Sequence, residues 1–302
     1  MILFYRLENI IPQGFIKIAR YTQNKGLKEF MEKNAIKEFE YLKSVIDNDQ
    51  NHKLRLEQSN KYCRYSSIIT YKDNRVVLHS TNRYINASWI HIPLFKYFIA
   101  TQGPLPHTII DFWTMCDEYN VSLIVMLCNL KENNVDKCAD YWHVQNLGHL
   151  KIKLLEEKED QKGIYIRRIS LFNKLKNKEK IFIQIHLTYW EDHKALDGGY
   201  FNKIIRIIQI IDGAKKKSYN PCVVHCSAGV GRTGTFISLY NLYHEIIQQI
   251  FVTKNEVIVF CIFNLVRKMK EMRIFSIENE NQFLLIYDFA NHLLYNYNKI
   301  NK

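Results

Sequence analysis

The chain has 302 residues, of which 47% are hydrophobic, so it can bury a substantial core as one large domain. Its formal net charge of +12 favours anionic partners, namely phosphorylated or acidic peptides, nucleic acid or a membrane surface. No apolar run reaches the roughly 18 residues needed to cross a bilayer, which excludes a transmembrane segment. Seven cysteines, an odd number, and the lack of a secretory leader within Met1–Gln13 favour a reducing, intracellular setting.

The first half of the chain predicts one helix followed by short strands. Apolar residues recur at helical spacing over Leu27–Leu42, where we expect an amphipathic helix. Five β-rich runs bounded by turn residues are expected to be strands: Val76–Leu78, Tyr97–Thr101, Ser122–Leu127, Gly163–Leu171 and Ile181–Leu187.

The second half predicts mainly helices around one short buried strand, Cys222–His225. Apolar residues at spacings of three and four indicate four helices: Tyr200–Ile211, Arg232–Ile250, Glu256–Met272 and Asn281–Tyr297. No repeat or long linker divides the chain. We therefore expect an extension over residues 1–24, one domain over 25–297 and a tail over 298–302.

The most informative segment lies between the buried strand and the helix that follows it, and it reads His-Cys-Ser-Ala-Gly-Val-Gly-Arg-Thr-Gly from His225. A loop entering a helix presents unpaired backbone N–H groups, and glycines let it curl into an anion nest. The helix dipole adds positive potential there, and the planar fork of Arg232 can bind two phosphoryl oxygens. The same field favours a thiolate, so Cys226 is expected to be a nucleophile at neutral pH.

Two other readings of this loop fail. A Walker-type nucleotide loop would need glycine where Cys226 stands. A zinc site at His225 and Cys226 would need a Cys-x-x-Cys pair or a second histidine cluster to complete a tetrahedron. We predict no metal and no cofactor, and we expect the other six cysteines to be ordinary core thiols: Cys63, Cys116, Cys128, Cys138, Cys222 and Cys261.

The segment from His225 to Phe236 resembles the active-site loop of tyrosine-specific protein tyrosine phosphatases, and the resemblance extends over most of the chain. Further motifs follow in the family's order: Asn60–Tyr65, Tyr84–Ser88, Thr101–Leu105, Phe112–Trp113, Lys137–Trp142 and Trp190–Asp192. The resemblance implies an α/β (α+β) fold, a single twisted, mixed β-sheet flanked by helices. It also implies hydrolysis of phosphotyrosine through a phosphocysteine on Cys226.

The resemblance assigns roles residue by residue. Asp192 is similar to the general acid that protonates the leaving phenolate, and Thr233 to the hydroxyl that stabilises the departing thiolate. Tyr65 resembles the aromatic wall of a deep pocket that admits phosphotyrosine but not the shorter phosphoserine. The phosphate oxygens would be bound by the loop residues Ser227, Ala228, Gly229, Val230, Gly231 and Arg232. Glu132 is similar to a residue that pairs with the active-site arginine, and Lys137 is a candidate supporting residue.

Four positions depart from the family pattern. Glu191 stands where the acid loop usually carries proline, and Ser67 replaces an aspartate that holds the substrate backbone. In the loop that positions hydrolytic water, Gln282 is retained. The earlier glutamine aligns with Glu278, however, and a rim glycine aligns with Phe275. We expect Glu278 to slow dephosphorylation of Cys226, and Phe275 to narrow one side of the pocket.

Two other functions stay open at this stage. One is a catalytically weak or inactive phosphotyrosine-binding module, which Glu191, Glu278 and Ser67 motivate. The other is a phosphoinositide or RNA 5′ phosphatase, although Ala228 and Val230 occupy loop sites where a lysine would help to bind several phosphates.

The expected partners are phosphotyrosine-containing proteins, with no obligatory nucleic acid. The abundance of Lys, Asn and Ile resembles phosphatases carried by polydnaviruses of parasitoid wasps. That likeness implies a cytoplasmic protein that acts on signalling inside host insect cells.

Overall fold

Helices account for much of the chain. The structure is a computed structural model that describes residues 16–19, 34–47, 60–92, 97–190, 198–215, 220–253 and 257–300. Within these ranges lie six α-helices: α1 Ile36–Leu42, α2 Ile109–Glu118, α3 Gly198–Lys215, α4 Gly231–Ile247, α5 Ile262–Met272 and α6 Glu280–Ile300. None of the helices in these ranges is both long and apolar enough to span a bilayer.

Strands in the described ranges form one large sheet and two small pairs. They are β1 Ile16–Ala19, β2 Ala87–Ile90, β3 Phe98–Thr101, β4 Leu123–Met126, β5 Lys131–Glu132, β6 Val135–Asp136, β7 Asn146–Leu147, β8 Leu150–Gln161, β9 Ile164–Asn173, β10 Lys178–Leu187, β11 Cys222–His225 and β12 Val257–Phe260. The large sheet has eight strands in the order β2-β3-β11-β4-β10-β9-β8-β7, while β1 pairs with β12 and β5 with β6.

The centre of the large sheet is parallel and its flanks are antiparallel. Strands β3, β11, β4 and β10 run parallel, and β2 and the β8–β9–β10 meander pair antiparallel beside them. All four residues of β11 are buried, as expected for a strand covered on both faces. The carboxyl ends of the parallel strands meet at one edge of the sheet, which is where ligands bind in open α/β sheets.

Most predicted elements are present, within a few residues of their predicted bounds. The mixed-sheet fold is confirmed, and so are the strands that became β3, β4, β9, β10 and β11. Helices α3, α4 and α6 are confirmed too, although α4 ends in a π-helical turn, Gln248–Val252. Helix α1 agrees with the C-terminal part of the first predicted helix, and residues 20–33 lie outside the described part.

Two element predictions were wrong. Val76–Leu78 is not a strand, because it makes only isolated bonds to β2, such as the Val76 N–H to the Ala87 carbonyl at 2.9 Å. The segment Glu256–Met272 is not one helix, because Val257–Phe260 pairs with β1 before α5 begins. A run of β-branched residues there outweighs the helical spacing. The domain bounds stay a prediction, and β1 falls within the segment predicted as an extension.

Candidate active site

Cys226 lies where the central strand of the sheet meets the first turn of α4. It follows β11 directly, and its side chain is buried, with 5% of its surface exposed. The Gly229 N–H donates a hydrogen bond to the Cys226 Sγ at 3.2 Å. The sulfur is therefore held inside the turn of the loop, with a backbone donor directed at it.

Gly229 and Gly103 bring the loop into close contact with the sheet. Gly229 has φ of +72°, and a Cβ there would lie 2.1 Å from the Thr101 carbonyl oxygen at the end of β3. A Cβ on Gly103 would lie 2.8 Å from the Cys226 carbonyl oxygen, and the Gly103 N–H donates to the Ser227 carbonyl at 2.9 Å. The curl of residues 226–231 thus depends on both glycines, since a side chain at either would push the loop away from the sheet.

Arg232 follows this loop and is fixed by an acidic partner 100 residues earlier. Its Nη1 lies 2.6 Å from Glu132 Oε1, and its Nη2 lies 2.8 Å from Glu132 Oε2. Nη1 also donates to the Leu127 carbonyl at 3.2 Å. Burial alone would raise the pKa of Glu132, but the hydrogen bonds and charge of Arg232 bring it below its usual range. The guanidinium plane is therefore set before any ligand binds.

Arg273 supports the loop from behind. Its side chain is 1% exposed and donates to the Gly229 carbonyl at 2.5 Å and the Ala228 carbonyl at 3.2 Å. It also donates to Asn86 Oδ1 at 2.8 Å and Ser88 Oγ at 3.1 Å. Burial lowers the pKa of Arg273 to about 10, so the group stays charged at neutral pH. A buried cation whose bonds run to loop carbonyls both orients those carbonyls and adds positive potential beneath the loop.

His225 connects the loop to the interior of the sheet. It is fully buried, its Nε2 lies 2.8 Å from the Tyr141 Oη, and its Nδ1 lies 3.1 Å from the Cys226 carbonyl oxygen. Burial lowers the pKa of His225 to about 4, so the imidazole is neutral at pH 7. A neutral ring donates from only one nitrogen.

Tyr65 stands beside the loop. The Tyr65 Oη lies 3.0 Å from the Ser227 Oγ, and the side chain is 36% exposed. The preceding residue fixes the segment, because the Arg64 guanidinium donates to the carbonyls of Gly103 and Pro104 at 3.0 and 2.6 Å. Ser67, in the same segment, is exposed.

Glu278 and Gln282 lie over the start of α4. The Glu278 N–H donates to the Gln282 Oε1 at 2.8 Å. A Cβ on Gly231 would come within 3.0 Å of the Glu278 Oε2 and 2.9 Å of the Gln282 Nε2. A carboxylate therefore stands next to the end of the loop that follows Cys226.

Phe275 and Ile277 have left-handed backbone conformations, with φ of +59° and +56°. This is a strained region for both residue types, and especially for the β-branched Ile277, which is fully buried. Phe275 is half-buried.

The remaining predicted residues lie in different parts of the chain. Thr233 is fully buried in α4, and its hydroxyl has no hydrogen-bond partner among the described residues. Lys137 is half-buried, and its N–H donates to the Leu130 carbonyl. Asp192 and Glu191 lie outside the described residues. The six cysteines predicted to be ordinary thiols are buried or half-buried, and none of the seven is disulfide-bonded.

Comparisons with known proteins identify the family of this chain. The sequence model of the family described as "Protein-tyrosine phosphatase" matches residues 59–292. The chain belongs to the protein-tyrosine phosphatase family. It is 33% identical to tyrosine-protein phosphatase non-receptor type 20 of Rattus norvegicus, over 96% of this chain and 69% of the relative. It is 35% identical to tyrosine-protein phosphatase 99A of Drosophila melanogaster, over 74% of this chain and 18% of the relative.

Solved structures of this family share the fold. The catalytic domain of human protein tyrosine phosphatase non-receptor type 18 superposes with a TM-score of 0.76 at 24% identity, covering 89% of this chain and 99% of that one. A second structure of the type 18 enzyme, described by its fingerprint on distinct HER2 tyrosine phosphorylation sites, gives a TM-score of 0.78 at 23% identity. It covers 90% of this chain and 98% of that one.

Sequence reasoning missed two functional positions in this phosphatase domain. Arg273 was not among the predicted site residues, and Arg64 was only part of the motif Asn60–Tyr65. Both are cations that donate to backbone carbonyls around the active-site loop. Proximity in sequence could not reveal this, since Arg273 lies 44 residues from Gly229. The sequence held one signal for Arg273: it is a charged residue at the end of an amphipathic helix, followed directly by the apolar Ile274.

Proposed function

We propose that this chain hydrolyses phosphotyrosine in proteins through a phosphocysteine on Cys226. The observation that carries the proposal is the Cys226 sulfur, held at 3.2 Å from the Gly229 N–H in a loop whose arginine is already oriented. The sulfur attacks phosphorus, the bond from phosphorus to the tyrosyl oxygen breaks, and Asp192 gives its proton to that oxygen. Water then attacks phosphorus while the Asp192 carboxylate takes its proton, and the sulfur leaves as a thiolate that the Thr233 hydroxyl would stabilise.

The loop binds the phosphoryl group without a metal. The N–H groups of residues 227–232 and the Arg232 guanidinium would surround its three oxygens, since they form a curled donor array at a helix N-terminus. Gln282, beside Gly231, would orient the attacking water.

The preference for phosphotyrosine rests on the position of Tyr65. Its ring stands beside the loop rim, with its hydroxyl 3.0 Å from Ser227, so an aryl phosphate can stack on it while phosphate reaches Cys226. A phosphoserine side chain is too short for that reach. The type 18 phosphatase structure described by HER2 tyrosine phosphorylation sites supports the same partner class, phosphotyrosine-containing proteins.

A protective phosphotyrosine-binding module is the second candidate, favoured by the Glu278 carboxylate next to the loop. The experiment measures turnover of para-nitrophenyl phosphate and of a phosphotyrosine peptide, with Cys226→Ser as the inactive control. We expect wild-type turnover that Cys226→Ser abolishes. A wild-type protein that turns over neither compound but binds the peptide would exclude the enzyme.

Two further arms refine the assignment. Asp192→Ala should trap phosphotyrosine proteins, because phosphate binding is retained while the proton for the leaving group is lost. Phosphoinositides and triphosphate-ended RNA should be poorer substrates than the peptide. Preference for either one would favour the multiply charged substrate class over phosphotyrosine.

We also infer a catalytic domain over residues 25–297 that acts in the cytoplasm. The amino-acid composition supports a viral origin and action inside host insect cells. A phosphoproteome of insect cells that express the chain would test this action. An unchanged phosphotyrosine profile would contradict that inference.

A further inference from the structure

A chain of buried side-chain hydrogen bonds runs from the sheet into the active-site loop, starting at Arg167. This residue lies on β9, is 7% exposed and is paired on its outer side with Glu157 on β8. Its Nη1 donates to the Gln184 Oε1 at 2.7 Å. The Gln184 Nε2 lies 2.6 Å from the Tyr141 Oη, which lies 2.8 Å from the His225 Nε2.

The donor at the head of this chain fixes the direction of every later bond. Arginine has no acceptor, so Gln184 must turn its oxygen to Arg167 and its NH₂ to Tyr141. Tyr141 then accepts from Gln184, and its own proton goes to the His225 Nε2, since the alternative acceptor, Met126 Sδ, is 3.9 Å away. Burial raises the pKa of Tyr141 well above its usual range, so that proton is present. His225 is left with its proton on Nδ1, facing the Cys226 carbonyl at 3.1 Å.

Arg167 also directs a second branch. The same Nη1 lies 3.0 Å from the His186 Nδ1, which must therefore accept. The His186 Nε2 then donates to the Cys128 carbonyl at 2.9 Å. Burial lowers the pKa of His186 to about 3, and the Arg167 charge acts in the same direction, so the ring is neutral and has one proton. Cys128 follows Leu127, whose carbonyl accepts from Arg232.

We propose that Arg167 and Gln184 are positioning residues that set the tautomer of His225 and, through it, the orientation of the Cys226–Ser227 peptide in the phosphate-binding loop. The peptide is trans, so its carbonyl and the Ser227 N–H point in opposite directions. With the carbonyl held by His225 Nδ1–H, the Ser227 N–H is directed away from the sheet, toward the phosphate side of the loop. If the hydrogen bond between Tyr141 and His225 ran in the opposite direction, the His225 proton would lie on Nε2. Two acceptors, the His225 Nδ1 and the Cys226 carbonyl oxygen, would then face each other, and the peptide would be released.

Near-isosteric substitutions at Gln184 separate an effect of hydrogen-bond direction from an effect of side-chain packing. Gln184→Glu keeps the side-chain shape and still accepts the hydrogen bond from Arg167. Its carboxylate also accepts a hydrogen bond from the Tyr141 hydroxyl, so the hydrogen bond between Tyr141 and His225 changes direction. Gln184→His can accept a hydrogen bond from Arg167 and donate one to Tyr141, so it preserves the direction of every hydrogen bond from Arg167 to His225. Ile185→Val on the same strand removes one buried methylene and leaves the hydrogen bonds from Arg167 to His225 intact. It is therefore the control for a loss of stability.

The primary readout is the protonation of His225, measured by ¹⁵N NMR and assigned from the spectrum of His225→Gln. We expect a proton on Nδ1 alone in wild type, Ile185→Val and Gln184→His, and a proton on Nε2 in Gln184→Glu. Loss of one oriented buried hydrogen bond corresponds to roughly tenfold in rate. We therefore expect kcat for para-nitrophenyl phosphate to fall about tenfold in Gln184→Glu and to recover in Gln184→His.

Two results would overturn the proposal. One is Gln184→Glu with His225 still protonated on Nδ1 alone. The other is equal loss of kcat in Gln184→Glu and Ile185→Val at matched thermal stability, which would reduce Gln184 to a packing role. The kinetic arm rests on the proposed phosphatase activity, whereas the NMR arm does not. A protein without turnover therefore leaves the tautomer test decisive.

Discussion

Arg232 and Glu132 form a two-point ion pair in which the terminal nitrogens Nη1 and Nη2 each face their own carboxylate oxygen, at 2.6 and 2.8 Å. Both side chains are largely shielded, at 17% and 19% exposed. The pair is therefore worth more than a surface contact, and it holds the fork in the plane from which two phosphoryl oxygens can be bound.

Glu132→Gln should consequently weaken both catalysis and the fold. We expect kcat/KM for para-nitrophenyl phosphate to fall about tenfold, and the free energy of unfolding to fall by about 1–3 kcal/mol. Asp136→Asn in the same hairpin is the control, because its pair with Lys131 is exposed and should contribute less than about 1 kcal/mol. Equal effects of the two substitutions would show that the fork needs no carboxylate partner. Steady-state kinetics and urea unfolding provide both numbers.

Glu278→Gln should speed the second chemical step. The carboxylate lies close to Gly231, where it would repel a phosphoryl group bound in the loop and could not donate to water. Wild-type protein should therefore show a rapid burst of phenolate followed by slower turnover in rapid-quench experiments. The substitution should shrink the burst and raise the steady rate severalfold. Glu280→Gln, an exposed change of equal charge, should alter neither. A burst-free wild type with turnover unchanged in Glu278→Gln would contradict this.

Arg273→Lys should damage the loop from behind although it keeps the charge. Lysine cannot reproduce the four bonds of the fork to the Gly229 and Ala228 carbonyls, Asn86 and Ser88. Buried acceptors would be left unpaired, so we expect a loss of about 2–4 kcal/mol in unfolding free energy and at least tenfold in kcat. Arg206→Lys, at a half-exposed pair with Asp160, is the control and should lower stability far less. If both variants matched in stability and rate, the proposed support role would be wrong.

Asp117 should make stability depend on acid pH. Burial favours its neutral form, but bonds from Lys176, Lys180 and Asn173 lower its pKa to about 2. The folded-state pKa lies below the unfolded value near 3.9, so this stabilisation is present above about pH 4 and is lost as pH falls toward 2. Asp117→Asn should remove roughly 2 kcal/mol at pH 7. Urea unfolding should show the wild-type and variant curves converging near pH 2; a constant gap down to pH 2 would disprove the linkage.

The local parts of the site could be predicted from sequence because they depend on neighbouring residues. An apolar strand, a glycine-rich turn and a helix start within Cys222–Arg232 imply the curled loop and its anion nest. The family resemblance suggested a place for Tyr65 in the wall of a pocket, but not its contact with Ser227. Long-range support was harder to predict: only the resemblance suggested Glu132, and nothing in the sequence pairs Arg167 with Gln184.

The missed elements have physical reasons as well. Strand β8 carries Lys and Glu over much of its length because most of its residues are exposed, so no clean apolar alternation marks it. Helix α2 is buried at eight of its ten residues, Ile109 and Asp111–Asp117. An element buried around most of its circumference shows little helical periodicity.

The contact between Gly229 and the end of β3 has a consequence for protein engineering. Because the space for a Gly229 side chain is already occupied by the Thr101 carbonyl, the loop and that strand end interlock. Grafting residues 226–232 alone onto another strand–helix junction should yield a loosened turn with no reactive thiol. A transplant that carries the Thr101–Gly103 stretch along with it has the complementary surface on which the turn closes.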